Sequence, residues 1–254
     1  MNKKQIRIDA LRTDIRENPS FDIKLLSEKY SVSEMTIRRD IKYLYEEGML
    51  SHLYSHNGSV THSAHNSYEF DLQMPLFAAE KERIAEYAVS LIKPYDTVLF
   101  DTGTTVYRIV ERLPSDLPIT VICYSFDILP LLKRKENVSI ILAGGYFHRK
   151  SSSFESEENV SLLKRLRAAK MFVSTSGIEK NGLTCYNQYE VNTKRAAIRS
   201  SVEKILVTDS GKFGVVKSSY FSALEEMDLL ITDSKIPETW LDYLKEKGPK
   251  FHLV

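Results

Sequence analysis

The feature that most constrains this chain is a rhythm of short apolar runs: Thr97–Phe100, Ile119–Cys123, Val138–Ala143, Met171–Val173, Ile205–Thr208 and Leu229–Thr232. Each is followed by a turn and a helical stretch. Runs without polar alternation read as strands covered on both faces, and strands separated by helices pair in parallel. The amphipathic stretch Ala78–Ile92 precedes the series. A last helix over Glu238–Lys247 and a terminal strand over Phe251–Val254 follow it. The expectation is an α/β domain over residues 76–254, with a mostly parallel sheet in Rossmann-type layers.

The first 60 residues obey a different period. Ile8, Leu11 and Ile15 fall at i, i+3 and i+7, one apolar stripe of a helix. Asn18-Pro19-Ser20 ends it. Asp22 is placed to cap a second helix carrying Leu25, Leu26 and Tyr30, and Ser33 to cap a third that runs to Glu47 and stops at Gly48. Residues 49–60 are β-prone, with an Asn57-Gly58 turn, and suit a hairpin wing. Residues 61–75 are polar and close on Pro75, as a linker would. The reading is a small α-helical winged helix-turn-helix over residues 1–60.

Net charge gives no global pull toward DNA or a membrane, because 35 Lys and Arg face 34 Asp and Glu. Any nucleic-acid contact must come from a local patch. The first dozen residues carry charges every few positions and no apolar core, unlike a secretion signal, and no apolar run reaches membrane-spanning length. A cytoplasmic protein is expected. Cys123 and Cys185 stand alone, without metal-ligand spacing, and read as reduced thiols. His52, His56, His62 and His65 crowd the wing and linker. Without an accompanying cysteine they read as polar linker residues rather than a zinc site, and neither metal nor cofactor is expected.

The local patch is on the third helix. Ile37, Ile41 and Leu44 share one face and point to the core, leaving Glu34, Met35, Thr36, Arg38, Arg39 and Lys42 outward. A second helix that follows a tight turn and exposes Thr and adjacent arginines suits a DNA major groove. Arginine there reads guanine edges or clamps phosphates, and a solvated basic face is the plain alternative. Asp40 is expected to orient an arginine or to cap locally. Ser33, Met35, Thr36, Arg38, Arg39 and Lys42 are the candidate DNA contacts.

In the α/β part, the strand Val98–Phe100 ends in Asp101-Thr102-Gly103-Thr104-Thr105 and then a helix. Backbone N–H groups at a helix N-terminus, with glycine allowing close approach and threonine hydroxyls nearby, cradle phosphate. A structural turn would use the same residues. Gly144-Gly145 follows a strand, as a tight turn or a close approach to ligand. Glu190 and Lys194 lie four apart at a helix start, a spacing that also suits a surface pair. Lys212, flanked by Gly211 and Gly214, could neutralise a phosphate dianion or could be a solvated loop lysine.

The segment VSEMTIRRDIKYLYEEGML resembles the helix-turn-helix signature of the DeoR family of bacterial repressors. The family's basic residue and His-Gly-Gly wing tip are replaced here by SHLYSHNGSV. Residues 78–233 are similar to the family's sensor domain, whose fold is that of ribose-5-phosphate isomerase. The resemblance implies a repressor of sugar or carbohydrate metabolism genes that binds a double-stranded DNA operator and is released by a phosphorylated sugar. Asp101, Gly103, Thr104, Thr105 and Lys212 are the best-matched effector positions, beside Gly144, Gly145, Glu190 and Lys194. Where the family carries a glycine, this chain has an acidic stretch, Glu155 to Glu158, unfavourable near a phosphate.

The rival reading is a sugar-phosphate isomerase-like enzyme with a DNA-binding appendage, using Asp101 as base, Glu190 as acid and Lys212 as clamp. Fold likeness does not carry activity, and no compelling acid/base pair stands out, so no catalytic residue is assigned. One recognition helix reads too few base pairs for specificity, so a homo-oligomer, dimer or tetramer, is expected.

Overall fold

The computed structural model describes residues 3–17, 23–46 and 70–254. The chain divides into two compact units, one of residues 1–66 and 71–76, the other of residues 67–70 and 77–254. The wing and the four linker histidines lie outside the described residues, as does Asp22.

In the first unit, α1 (Lys3–Glu17), α2 (Ile23–Lys29) and α3 (Glu34–Glu46) close on one small core. Ile8, Leu11 and Ile15 of α1 meet Leu26 of α2 and Ile37, Ile41 and Leu44 of α3. The three-helix periodicity therefore does what the sequence asks of it, except that Leu25 stays exposed. Two carboxylates tie α1 to its neighbours. Asp14 accepts from the Lys29 ammonium at 2.6 Å and the Tyr30 hydroxyl at 2.5 Å. Buried Asp40 accepts from Arg7 Nε at 2.6 Å.

Residues expected to be linker include a short helix, α4 (Phe70–Gln73). A longer one, α5 (Ala78–Ser90), follows it. The chain then runs β1 (Thr97–Phe100), α6 (Thr104–Arg112), β2 (Ile119–Cys123), α7 (Leu129–Leu132), β3 (Val138–Leu142), β4 (Tyr146–His148) and β5 (Ser153–Glu155). Next come α8 (Glu157–Arg165), β6 (Ala168–Val173), β7 (Gly177–Glu179), β8 (Gly182–Cys185), α9 (Glu190–Arg199) and β9 (Ser201–Val207). Last are β10 (Ser219–Ser222), β11 (Leu229–Thr232), α10 (Glu238–Lys247) and β12 (Lys250–Leu253).

Seven strands form one sheet, ordered β12-β11-β9-β6-β1-β2-β3, and every neighbouring pair is parallel. Helices cover both faces. Val98, Phe100, Val121 and Ile205 pack against α5 and α6 through Ile84, Ala88, Val106 and Ile109. Leu99, Ile122, Met171 and Leu206 face the opposite core, with Leu163 of α8, Val191 and Ala197 of α9, and Leu244 of α10. This double cover is why the strands read as unbroken apolar runs.

The order reverses beside β1. From there the chain steps outward to β3, then returns to lay β6 on the other side of β1. In parallel sheets the crevice at the carboxyl ends of such a pair is where ligands bind. Two additions were not foreseen: the antiparallel hairpin β4-β5 and the small antiparallel sheet β10-β8-β7. Their strands are three or four residues long, too short for a period to show. No helix among the described residues is long and apolar enough to cross a membrane.

Candidate functional site

Asp101 stands at the end of β1, at the reversal point, and is fully buried. Its carboxylate accepts four hydrogen bonds. Oδ1 takes the Thr102 amide at 2.8 Å and the Tyr124 hydroxyl at 2.5 Å. Oδ2 takes the Ser174 amide at 2.9 Å and the Lys194 ammonium at 2.6 Å. Ser174 directly follows β6, so this one side chain stitches together the two strands that flank the crevice. Lys194 also donates to the Ser174 carbonyl at 3.2 Å and lies over the Phe221 ring at 5.0 Å.

The Glu190–Lys194 spacing is thus no surface pair. Lys194 is buried and spends its charge on Asp101. Burial pulls its pKa down, but Asp101 and then Glu190 push harder, and the net shift is upward. Part of Glu190 stays exposed, while its carboxyl group accepts from the Asn187 side-chain Nδ2 at 2.6 Å within the cluster. Burial raises the Glu190 pKa against the opposing pull of Lys194 and Asn187. Tyr124 is driven well above its ordinary value by burial and then by Asp101, so it acts as a donor. An aspartate saturated by four donors is a poor general base, which removes the first step of the isomerase scheme.

The turn after Asp101 opens α6. Gly103 has φ +103°, a conformation that favours glycine, and its carbonyl accepts from the Tyr107 amide to close the first turn. Thr102, Thr104 and Thr105 are buried. The first-turn N–H groups of a helix have no intrahelical acceptor and point to where an anion would sit.

Lys81 of α5 was missed by the sequence reading. It is 1% exposed, and burial lowers its pKa to about 7; Asp209 opposes the shift, while Lys212 and Arg108 add to it. Its signal is a lysine on the buried stripe, three residues before Ile84, where an apolar residue is expected. Lys212 is half-buried in the short 3-10 turn Ser210–Lys212 after β9. Buried Asp209 and Asp233 anchor that turn, accepting from the Gly211 amide at 3.1 Å and the Ser210 amide at 2.7 Å.

The acidic stretch is used otherwise than feared. Glu155 sits on β5 with its carboxylate 3.4 Å from His148, whose ring stacks on Tyr189 at 3.6 Å. Ser156 caps α8, accepting from the Asn159 amide at 3.0 Å. Glu157 and Glu158 are exposed in the first turn of that helix, where carboxylates complement its dipole. Gly145 is structural: its φ is +139°, and a Cβ would lie 2.6 Å from the Glu155 carbonyl oxygen. A Cβ on Gly144 would meet open space. Both cysteines are buried and free.

On the first unit, Ser33 caps α3, its Oγ accepting from the Thr36 amide at 3.2 Å and lying 2.9 Å from the Thr36 hydroxyl. Met35 and Arg39 are exposed and Thr36 is half-exposed, on the face opposite Ile37, Ile41 and Leu44. Arg38 and Lys42 belong to the same helix; their side chains lie outside the described residues. Asp40 faces inward to Arg7 of α1, as an arginine-orienting residue.

Comparison with known proteins adds a lineage. The profile of the DeoR C-terminal sensor domain matches residues 77–234, and that of the DeoR-like helix-turn-helix domain matches residues 7–63. The deoxyribose operon repressor of Escherichia coli is 28% identical over 98% of each chain. The lactose phosphotransferase system repressor of Staphylococcus epidermidis is 33% identical, over 92% of this chain and 93% of its own length. Among solved structures, ribose 5-phosphate isomerase A from Methanocaldococcus jannaschii overlaps 54% of this chain and 55% of its own, at 16% identity and a TM-score of 0.41. That overlap is too loose to carry an argument.

Proposed function

Since this chain belongs to the DeoR family of DNA-binding transcription regulators, we propose that it represses sugar or carbohydrate metabolism genes and leaves its operator when a phosphorylated sugar binds. It is a regulator rather than an enzyme. The named relatives repress a deoxyribose operon and a lactose phosphotransferase system, which supports the sugar reading.

One observation carries the effector reading. At the reversal point of the parallel sheet, a glycine turn opens α6, and α5, which packs against α6, carries a buried lysine within reach of the charges of Asp209, Lys212 and Arg108. A phosphate there would meet the first-turn amides of Thr104 and Thr105, approach closely over Gly103, and relieve the repulsion between Lys81 and Lys212. Glu190 would face the sugar hydroxyls, with Asp101 and Lys194 fixing the floor beside it, and Gly144 would leave room for them. Residues 76–254 form the sensor, 61–75 the linker and 1–60 the DNA reader, in which Ser33, Met35, Thr36, Arg38, Arg39 and Lys42 enter the major groove. Two copies span the two half-sites. The effector shifts the population from DNA-competent to DNA-incompetent arrangements because it binds them with different affinity.

Two measurements test this. Thermal unfolding of the full chain against a panel of sugar phosphates and their unphosphorylated parents should show a shift for phosphorylated compounds only, of about 2.7 kcal/mol at a hundred times the dissociation constant. An equal shift from the unphosphorylated parent would remove phosphate from the site. Arg38→Ala should weaken operator binding by about 1–3 kcal/mol if the guanidinium reads a base. Unchanged affinity would take Arg38 out of the interface.

A further inference from the structure

The two edges of the seven-stranded sheet differ in how they meet solvent. At one edge β12 carries Lys250 and His252, and the latter stacks on Tyr87 at 3.7 Å. A charged or covered edge strand resists pairing with another chain. At the other edge β3 reads Val138-Ser139-Ile140-Ile141-Leu142, with no charge, no proline and no bulge. Ile140 is 39% exposed and Leu142 38%.

The register tells which backbone groups of β3 are unused. The Ile119 amide donates to the Asn137 carbonyl, and the Ala143 amide donates to the Cys123 carbonyl. Residues 137, 139, 141 and 143 therefore point their backbone groups at β2. Val138, Ile140 and Leu142 point theirs away from it, and β3 pairs with no other strand among the described residues. Three amides and three carbonyls thus line an aliphatic edge.

We propose that this edge is the contact between two copies of the chain, paired antiparallel about a two-fold axis at Ile140. In that register Ile140 faces its own counterpart, and Val138 faces Leu142 in both directions. Each opposed pair exchanges two backbone hydrogen bonds, because the three residues on each strand are the ones whose groups point outward. Ser139 faces Ile141 and the remaining strand pairs are aliphatic, so the pairing sets no like charges against each other. Flanking Lys135 and Glu136 fall opposite Gly145 and Gly144, which also bring none. An isologous contact must be self-complementary in this way. The strand alone is smaller than the ~1,200 Å² of a stable interface. The exposed rings of Phe126 and Tyr146, on the segments leaving β2 and β3, extend the apolar surface at its carboxyl end. The choice of a second copy rests on the operator reading, in which one recognition helix is too little; the contact itself is tested without DNA or effector.

The test uses the full chain. Sedimentation equilibrium should show a dimer, and Ile140→Lys, which sets two ammonium groups face to face, should weaken self-association by at least about tenfold. Ile140→Cys, treated with a short bis-maleimide, should crosslink to a dimer, because opposed residues in such a pair lie about 5.5 Å apart at Cα. Val202→Cys, more exposed still at the start of β9, should not. A monomeric wild type, an Ile140→Lys variant that folds and associates as before, or crosslinking no faster at 140 than at 202 would each overturn the proposal. Loss of operator or effector binding with crosslinking at 140 intact would instead count against the functional reading and leave this contact standing.

Discussion

Two charged clusters in the α/β unit are built on opposite principles. The first is closed. Asp101 and Lys194 are both buried, lie 2.6 Å apart, and share further bonds with Tyr124, Thr102 and Ser174. The second is set by burial. Lys81 is buried at a cost to its charge, and of its neighbours Asp209 and Glu80 support the ammonium while Lys212 and Arg108 oppose it. The closed cluster contributes shape: it pins β1 to β6 and fixes the floor of the crevice. The second favours any added anion, because an anion lowers the cost that burial imposes on Lys81. The structural role and the proposed anion contact thus fall to different residues.

Removing one partner of the closed cluster gives the largest effect. Asp101→Ala takes from buried Lys194 the carboxylate it is bonded to, leaving only Glu190 nearby, and should cost about 3–5 kcal/mol of unfolding free energy. The chain has one tryptophan, Trp240, packed against Phe213 in this unit, so its fluorescence during urea unfolding reports the right transition. A loss below about 1 kcal/mol would mean that Asp101 is no keystone. Lys81→Met should cost far less. It removes a charge whose burial outweighs the support of Asp209, and Asp209 keeps its bond from the Gly211 amide, so stability near pH 6 should change by no more than about 1–2 kcal/mol, while the sugar-phosphate shift disappears. A large loss of stability would show that Lys81 belongs with Asp101 as a structural group.

These two residues also mark what the sequence makes legible. The apolar runs announce the parallel sheet because burial on two faces leaves no polar alternation, and Ile37, Ile41 and Leu44 announce α3 because a helix core repeats at that spacing. Asp101 is visible as the last residue of an apolar run before a glycine turn. The partners it chooses are not visible, because Tyr124, Ser174 and Lys194 come from three other segments and meet only through the strand order. The Glu190–Lys194 pair shows the cost of that blindness: i and i+4 predicts a mutual surface contact, yet the lysine turns to a carboxylate ninety-three positions away. Lys81 is hidden for another reason, since a lysine within an amphipathic helix ordinarily counts as its wet face.

A smaller effect separates Lys212 from both. It is half-buried on a turn whose backbone amides are held by Asp209 and Asp233. Lys212→Ala should therefore change stability by no more than about 0.5 kcal/mol and still blunt the response to sugar phosphate. An unchanged ligand shift in the melting assay would remove Lys212 from the effector site, leaving Lys81 to carry the anion alone.

The finest discrimination comes from protons. The Lys81 pKa in the folded protein, about 7, lies below its ordinary value of 10.5. Below pH 7 both folded and unfolded states hold the proton, and the folded state bears the whole cost of the buried charge. Between pH 7 and 10.5 the unfolded chain binds more protons, so stability rises with pH, by at most about 1.4 kcal/mol per unit, and levels off above that window. Wild type should show this rise relative to Lys81→Met. A bound phosphate reverses the bias by favouring the ammonium, so binding at pH 8 should draw up to one proton from solution. Calorimetry in two buffers of different ionisation enthalpy measures that uptake directly. Heats that agree in both buffers would mean that the anion and Lys81 do not meet, and the second cluster would then be as closed as the first.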